Sequence, residues 1–103
     1  MANEQAFLTV WGNLHVYTQL ERRGCLFAIM NCNEHYWEEL KTRVRAGVAS
    51  GALSLHQSFL FDHILDARRW YKGNYSYIHN AYDDVIDAHI TILGQILTAL
   101  NMS

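Results

Sequence analysis

The chain has 103 residues, half of them hydrophobic and 13% aromatic, with only 17% charged and a formal net charge of −2. This balance excludes a disordered polymer and argues against nucleic-acid binding over a broad surface, which calls for a basic chain. Few charges and many aromatics also point to apolar surface covered by a second subunit, with a homo-oligomer (dimer) as the expected partner.

The first segment, about Asn3 to Glu21, reads as a helix. Asn3 can cap it, Glu4 suits the positive end of its dipole, and Phe7, Val10, Leu14 and Tyr17 keep helical spacing. A rival reading is a hairpin, because Gly12-Asn13 is a turn signal and Leu14, Val16, Thr18 and Leu20 alternate. Arg22-Arg23-Gly24 reads as a stop. A second helix follows over Cys25 to Ala46, with Leu26, Met30, Asn33, Trp37, Leu40 and Val44 on one face. Asn33 interrupts that face and is an alternative cap, with Cys25–Asn31 then a third strand.

Gly47 to Gly51 makes a small-residue turn. The third helix, about Ala52 to Tyr71, carries a stripe of Leu53, His56, Leu60, His63, Ala67 and Trp70. Lys72-Gly73-Asn74 closes it. The tail, Tyr75 to Leu100, reads as one long helix whose stripe is Tyr75, Ile78, Tyr82, Val85, His89, Ile92, Ile96 and Ala99. Gly94 inside it would let a neighbouring backbone come close.

These elements predict an all-α, up-down four-helix bundle forming a single helical domain over residues 1–103. The alternative is α+β, with an N-terminal antiparallel hairpin or three-stranded sheet over residues 5–32 followed by three helices. No apolar run is long enough to span a membrane. The start, Met-Ala-Asn-Glu-Gln, lacks a basic leader, so a cytoplasmic location is expected. Cys25 and Cys32 on one helix would be roughly 10 Å apart in rise and therefore free thiols.

Four groups of residues are candidates for function. Up-down topology gathers Arg22, Arg23, Arg68, Arg69 and Lys72 at one end, a site for an anion or an acidic protein partner. Tyr36, Trp37, Trp70, Tyr71, Tyr75 and Tyr77 are candidate interface anchors, since aromatics dominate binding hot spots. His56, His63 and His89 on apolar stripes would point inward and could hold a transition metal, with Asp62, Asp66 and Asp87 nearby. Glu34, Glu38 and Glu39, with Asp83, Asp84 and Asp87, form acidic faces of the kind that hold Mg²⁺.

Two sets of residues resemble known families in part. His15, His35 with Glu39, and His79 with Asp84 are similar in spacing to ligands of the hemerythrin family, di-iron four-helix bundles. The remaining His-x3-His element has no counterpart, because His56 and His63 are seven apart. Asp84 and Asp87 are similar to the second acidic element of MazG-type nucleotide pyrophosphohydrolases, whose first element is missing here. No nucleophile elbow, P-loop or dinucleotide fingerprint occurs. The expected function is therefore a small non-catalytic helical interaction or regulatory protein acting as a homodimer and needing no cofactor. The alternatives are a di-iron-like metal-binding bundle and a Mg-dependent pyrophosphohydrolase-like enzyme.

Overall fold

Three helices in this protein begin where a side chain satisfies free backbone groups of the helix end. A computed structural model describes residues 2–102. Helix α1 (Ala2–Gly12) runs into a single 3-10 turn at Leu14–Val16. Gly12-Asn13 is thus a turn, but it joins helices. Thr18 then opens α2 (Gln19–Met30) through a capping box: its hydroxyl accepts from Glu21 N at 3.2 Å, and Glu21 Oε1 accepts from Thr18 N at 3.0 Å. Because α2 starts there, Arg22-Arg23-Gly24 lies inside the helix and stops nothing.

Asn33 caps α3 (Glu34–Ser50) by accepting from Tyr36 N at 2.9 Å. Gly51, at φ 85°, closes α3 in the left-handed conformation that favours glycine. A second capping box, Ser54 with Gln57, opens α4 (Leu55–Tyr71). Gly73, at φ 70°, turns the chain into the short α5 (Tyr75–Asn80), and α6 (Asp83–Ala99) follows.

The protein is all-α: six helices and no strand among the described residues. Residues 5–32 form α1, the 3-10 turn and α2, so the N-terminal hairpin or sheet does not form. Six helices stand where four were expected: the chain breaks at 13–18, again at 31–33 inside the expected Cys25–Ala46 helix, and at Ala81-Tyr82, while the expected stop at 22–24 is absent.

The break at Ala81-Tyr82 has a clear physical cause. Arg23 on α2 is buried and donates to Ile78 O and His79 O, the carbonyls that end α5. It also pairs with Asp83 in the first turn of α6. A helix running straight through would have used those carbonyls itself. The break resets the phase of the tail, so its buried face is Ile86, Ile90, Leu93, Gly94, Ile96 and Leu97. Of the expected stripe, only Ile78 and Ile96 are buried, while Tyr82 and Val85 face water.

Helix α6 is nonetheless the hub, packed against α1, α2 and α4. Its closest neighbour at Gly94 is a side chain: a Cβ there would lie 2.2 Å from Trp11 Cγ, so the indole of α1 fills the space a side chain would need. A second centre forms around Trp37. It is fully buried, donates to Ile29 O at 3.2 Å, and stacks on Phe61 at 6.4 Å between ring centroids. Helices α2, α3 and α4 meet there.

Candidate functional site

Helix α4 presents two contrasting faces. Phe61, Ile64 and Tyr71 point into the core. On the opposite side, Leu55, Phe59, Asp62, Asp66 and Arg69 recur at steps of four and three, which places them on one helix face, with Trp70 at its edge. Leu55, Phe59 and Trp70 there are 65%, 61% and 62% exposed. Trp70 meets Tyr77 of α5 edge-on at 5.8 Å, and Tyr77 is itself 47% exposed. A groove of about 470 Å³ lies beside Trp70, lined also by Asp66 and Arg69.

The expected interface anchors therefore divide. Trp70, Tyr75 and Tyr77 are at the surface, with Tyr75 edge-on to Phe27 at 5.3 Å. Tyr36, Trp37 and Tyr71 are buried core residues and offer no free surface. Packing explains it: Trp37 stacks on Phe61 and donates to Ile29 O, Tyr36 lies edge-on to Trp37, and Tyr71 packs beside His89. Leu55 and Phe59 were missed as surface candidates. The Ser54-x-x-Gln57 box was a signal for where α4 begins, while Phe61, Ile64 and Tyr71, the buried set, share a face by spacing alone.

The histidines also separate. His56 and His63 lie exposed on α4, and only His89 is half-buried. The α4 stripe that held them is largely the solvent side of the helix. Among the described residues, no group of three or more His, Cys, Asp or Glu side chains is placed to hold a metal ion. The positions that carried the hemerythrin resemblance, His15, His35, Glu39, His79 and Asp84, are all exposed. His89 Nδ1 is buried without a partner beside the Tyr71 ring at 5.7 Å, and burial lowers the imidazole pKa below its ordinary 6.5.

The acidic faces are taken up by ion pairs. Glu34 accepts from Arg68 at 3.0 Å and from Lys72, Glu38 pairs with Lys41 at 2.8 Å, and Glu39 pairs with Arg43 at 3.2 Å. Asp83 pairs with Arg23, and Asp87 accepts from Arg22 at 3.4 Å and from Gln19. Lys72 first, and then Arg68, hold the Glu34 carboxyl down at about 2. Among the described residues, Asp84 is in no ion pair, and it accepts from Val85 N at 3.0 Å.

The basic cluster splits as well. Arg22 and Arg23 tie α2 to the α5–α6 region, and Arg22 also donates to Leu14 O. Arg68, Arg69 and Lys72 line a separate groove of about 380 Å³ with Lys41, Leu65 and Glu34. Arg68 is committed to structure there: it donates to Met30 O and Cys32 O and lies over the Trp37 ring at 4.8 Å. Arg69 is the exposed member, 3.7 Å from Asp66.

One buried polar pair had no sequence signal. Glu4 and Tyr36 are both buried, and among the described residues neither Glu4 Oε1 nor the Tyr36 hydroxyl has a hydrogen-bond partner. Burial first, and the Glu4 charge second, push the Tyr36 phenol well above its ordinary 10. Both cysteines are free, and burial raises the Cys25 thiol to about 11, away from reactivity. No helix is long and apolar enough to cross a membrane among the described residues. No protein-family model, curated protein or solved structure matches this chain.

Proposed function

We propose that this chain is a non-catalytic helical interaction protein that acts as a homodimer. The observation that carries the reading is the row of large apolar side chains turned to water along α4 and onto α5: Leu55, Phe59, Trp70 and Tyr77. Scattered apolar side chains are ordinary on a surface, but an aromatic group beside a groove is what a partner covers. The enzyme and metal alternatives have less support, because the acids are spent on salt bridges and the histidines diverge.

Sedimentation velocity over a range of concentrations tests the reading. The expected result is a species of twice the 11.9 kDa chain mass that gains population with concentration. A monomer throughout, up to high concentration, would overturn it.

A second reading, an acidic protein partner, is favoured by the groove in which Lys41, Arg68, Arg69 and Lys72 outnumber Glu34. Titration with a glutamate-rich peptide is expected to show binding that weakens with salt and is lost in Arg69→Glu. Salt-independent binding, or none, would remove this reading.

A further inference from the structure

We propose that a trench between α3 and α4 binds an extended acidic segment of a partner protein, with carboxylates seated at both of its ends. This rests on the acidic-partner reading above and gives that partner a shape. Helices α3 and α4 are an antiparallel pair: Glu34, the first residue of α3, meets Arg68 and Lys72 at the end of α4. The groove at that end continues. A second cavity of about 250 Å³, lined by Arg45, Ser58 and Asp62, shares Lys41 and Leu65 with it, so the two make one trench. Along α3 it reaches from Glu34 to Arg45, eleven residues or about 16 Å.

Charge selects the occupant. The lining holds five of the chain's eight basic side chains and two of its ten acids, Glu34 and Asp62. The rest of the molecule is left with three basic groups and eight acids. Two of those acids stand beside the trench, Glu38 on Lys41 at 2.8 Å and Asp66 on Arg69 at 3.7 Å, but both are exposed and their pairs are screened by water. With these two included, cations in and around the trench still exceed acids by five to four, against three to six elsewhere. Glu34 shows what the near end takes, a carboxylate shared by Arg68 and Lys72. At the far end Arg45 is in no ion pair among the described residues. Half-buried Leu65 gives apolar surface between the ends. A segment with acids about five residues apart and an apolar residue between them spans this distance when extended, at about 3.3 Å per residue. Nucleic acid fits less well, because Phe61, the aromatic ring of the lining, is buried and cannot stack on a base.

The test is calorimetric titration of the full chain with the peptide Glu-Glu-Ser-Leu-Ser-Glu-Glu. Binding that weakens with added salt is expected. Arg69→Glu is expected to abolish it, and Arg45→Glu to weaken it by about tenfold, each with an unchanged far-ultraviolet circular dichroism spectrum. Arg43→Glu, two residues from Arg45 but outside the trench, is expected to change affinity by less than about twofold at physiological salt. If Arg69→Glu abolishes binding while Arg45→Glu does no more than Arg43→Glu, the long trench is wrong and the acidic-partner reading survives. Tighter binding of a single-stranded oligothymidylate than of the peptide makes the occupant wrong. No binding of the peptide to the natural chain ends both readings.

Discussion

Two junctions in this protein are held by the same device, one arginine reaching across from another helix. At the α5–α6 junction, Arg23 donates to two carbonyls that end α5 and pairs with Asp83, the first residue of α6. At the α2–α3 junction, Arg68 donates to Met30 O and Cys32 O and pairs with Glu34, the first residue of α3. The supports around the two arginines differ. Asn33 caps α3, Lys72 also holds Glu34, Asn31 Oδ1 accepts from Gly73 N at 2.8 Å, and Trp37 lies beneath Arg68. At the other junction Tyr82 supplies no side-chain cap. The α2–α3 corner has a side-chain cap and a second cation on the same carboxylate. At the α5–α6 corner the carbonyls and the first residue of α6 are held by Arg23, with Arg22 and Gln19 reaching α6 only at Asp87, one turn on.

That contrast is open to measurement. Arg23→Met is expected to have the largest effect, about 3–5 kcal/mol by urea denaturation, because it strands buried carbonyls and leaves Asp83 without its partner. Arg68→Met is expected to cost less, about 2 kcal/mol, since the cap and Lys72 remain and the new side chain still packs on Trp37. Equal losses would show the extra supports to be idle. Asn33→Ala is expected to cost about 1 kcal/mol. Tyr82→Ser is expected to stabilise by about 0.5–1 kcal/mol, because it supplies the cap that α6 lacks at an 81% exposed position.

The smallest expected effect is on pH dependence. The Glu34 carboxyl is held at about 2 against an ordinary 4.5, so its contribution is complete above about 4.5. It fades as pH falls from there toward 2, where the folded-state carboxylate takes up its proton. Glu34→Gln is expected to flatten the melting temperature over that acid window and leave its slope near neutrality unchanged. A variant whose acid slope matches the natural chain would detach Glu34 from the strength of that corner.

Periodicity gave the helical class and the central role of the last segment, because apolar spacing survives small errors in where a helix begins. It did not give faces. Ser54-x-x-Gln57 and Thr18-x-x-Glu21 are both legible as caps, and each marks where the following helix begins, but a start does not say which face is covered. Because α4 carries apolar residues on several sides, His56, His63 and Trp70 fell on an inner stripe and Phe61, Ile64 and Tyr71 off it, a reversal of the true faces. The Ala81-Tyr82 break was less accessible. It depends on Arg23, some sixty positions earlier, and no local reading of Tyr75 to Leu100 contains it. The separation of the basic cluster has the same origin, since the arginines serve contacts distant in the chain.

The indole lodged against Gly94 has a practical consequence. The chain has three tryptophans, and their surroundings differ: Trp11 fills a notch on α6, Trp37 is sealed beneath Arg68, and Trp70 is in water. Each can be kept as a lone fluorophore by changing the other two to phenylalanine. The emission of Trp11 would then follow the seating of the first helix, that of Trp37 the interior, and that of Trp70 the outer side of α4. The protein carries its own optical gauges for three separate regions, with no dye attached.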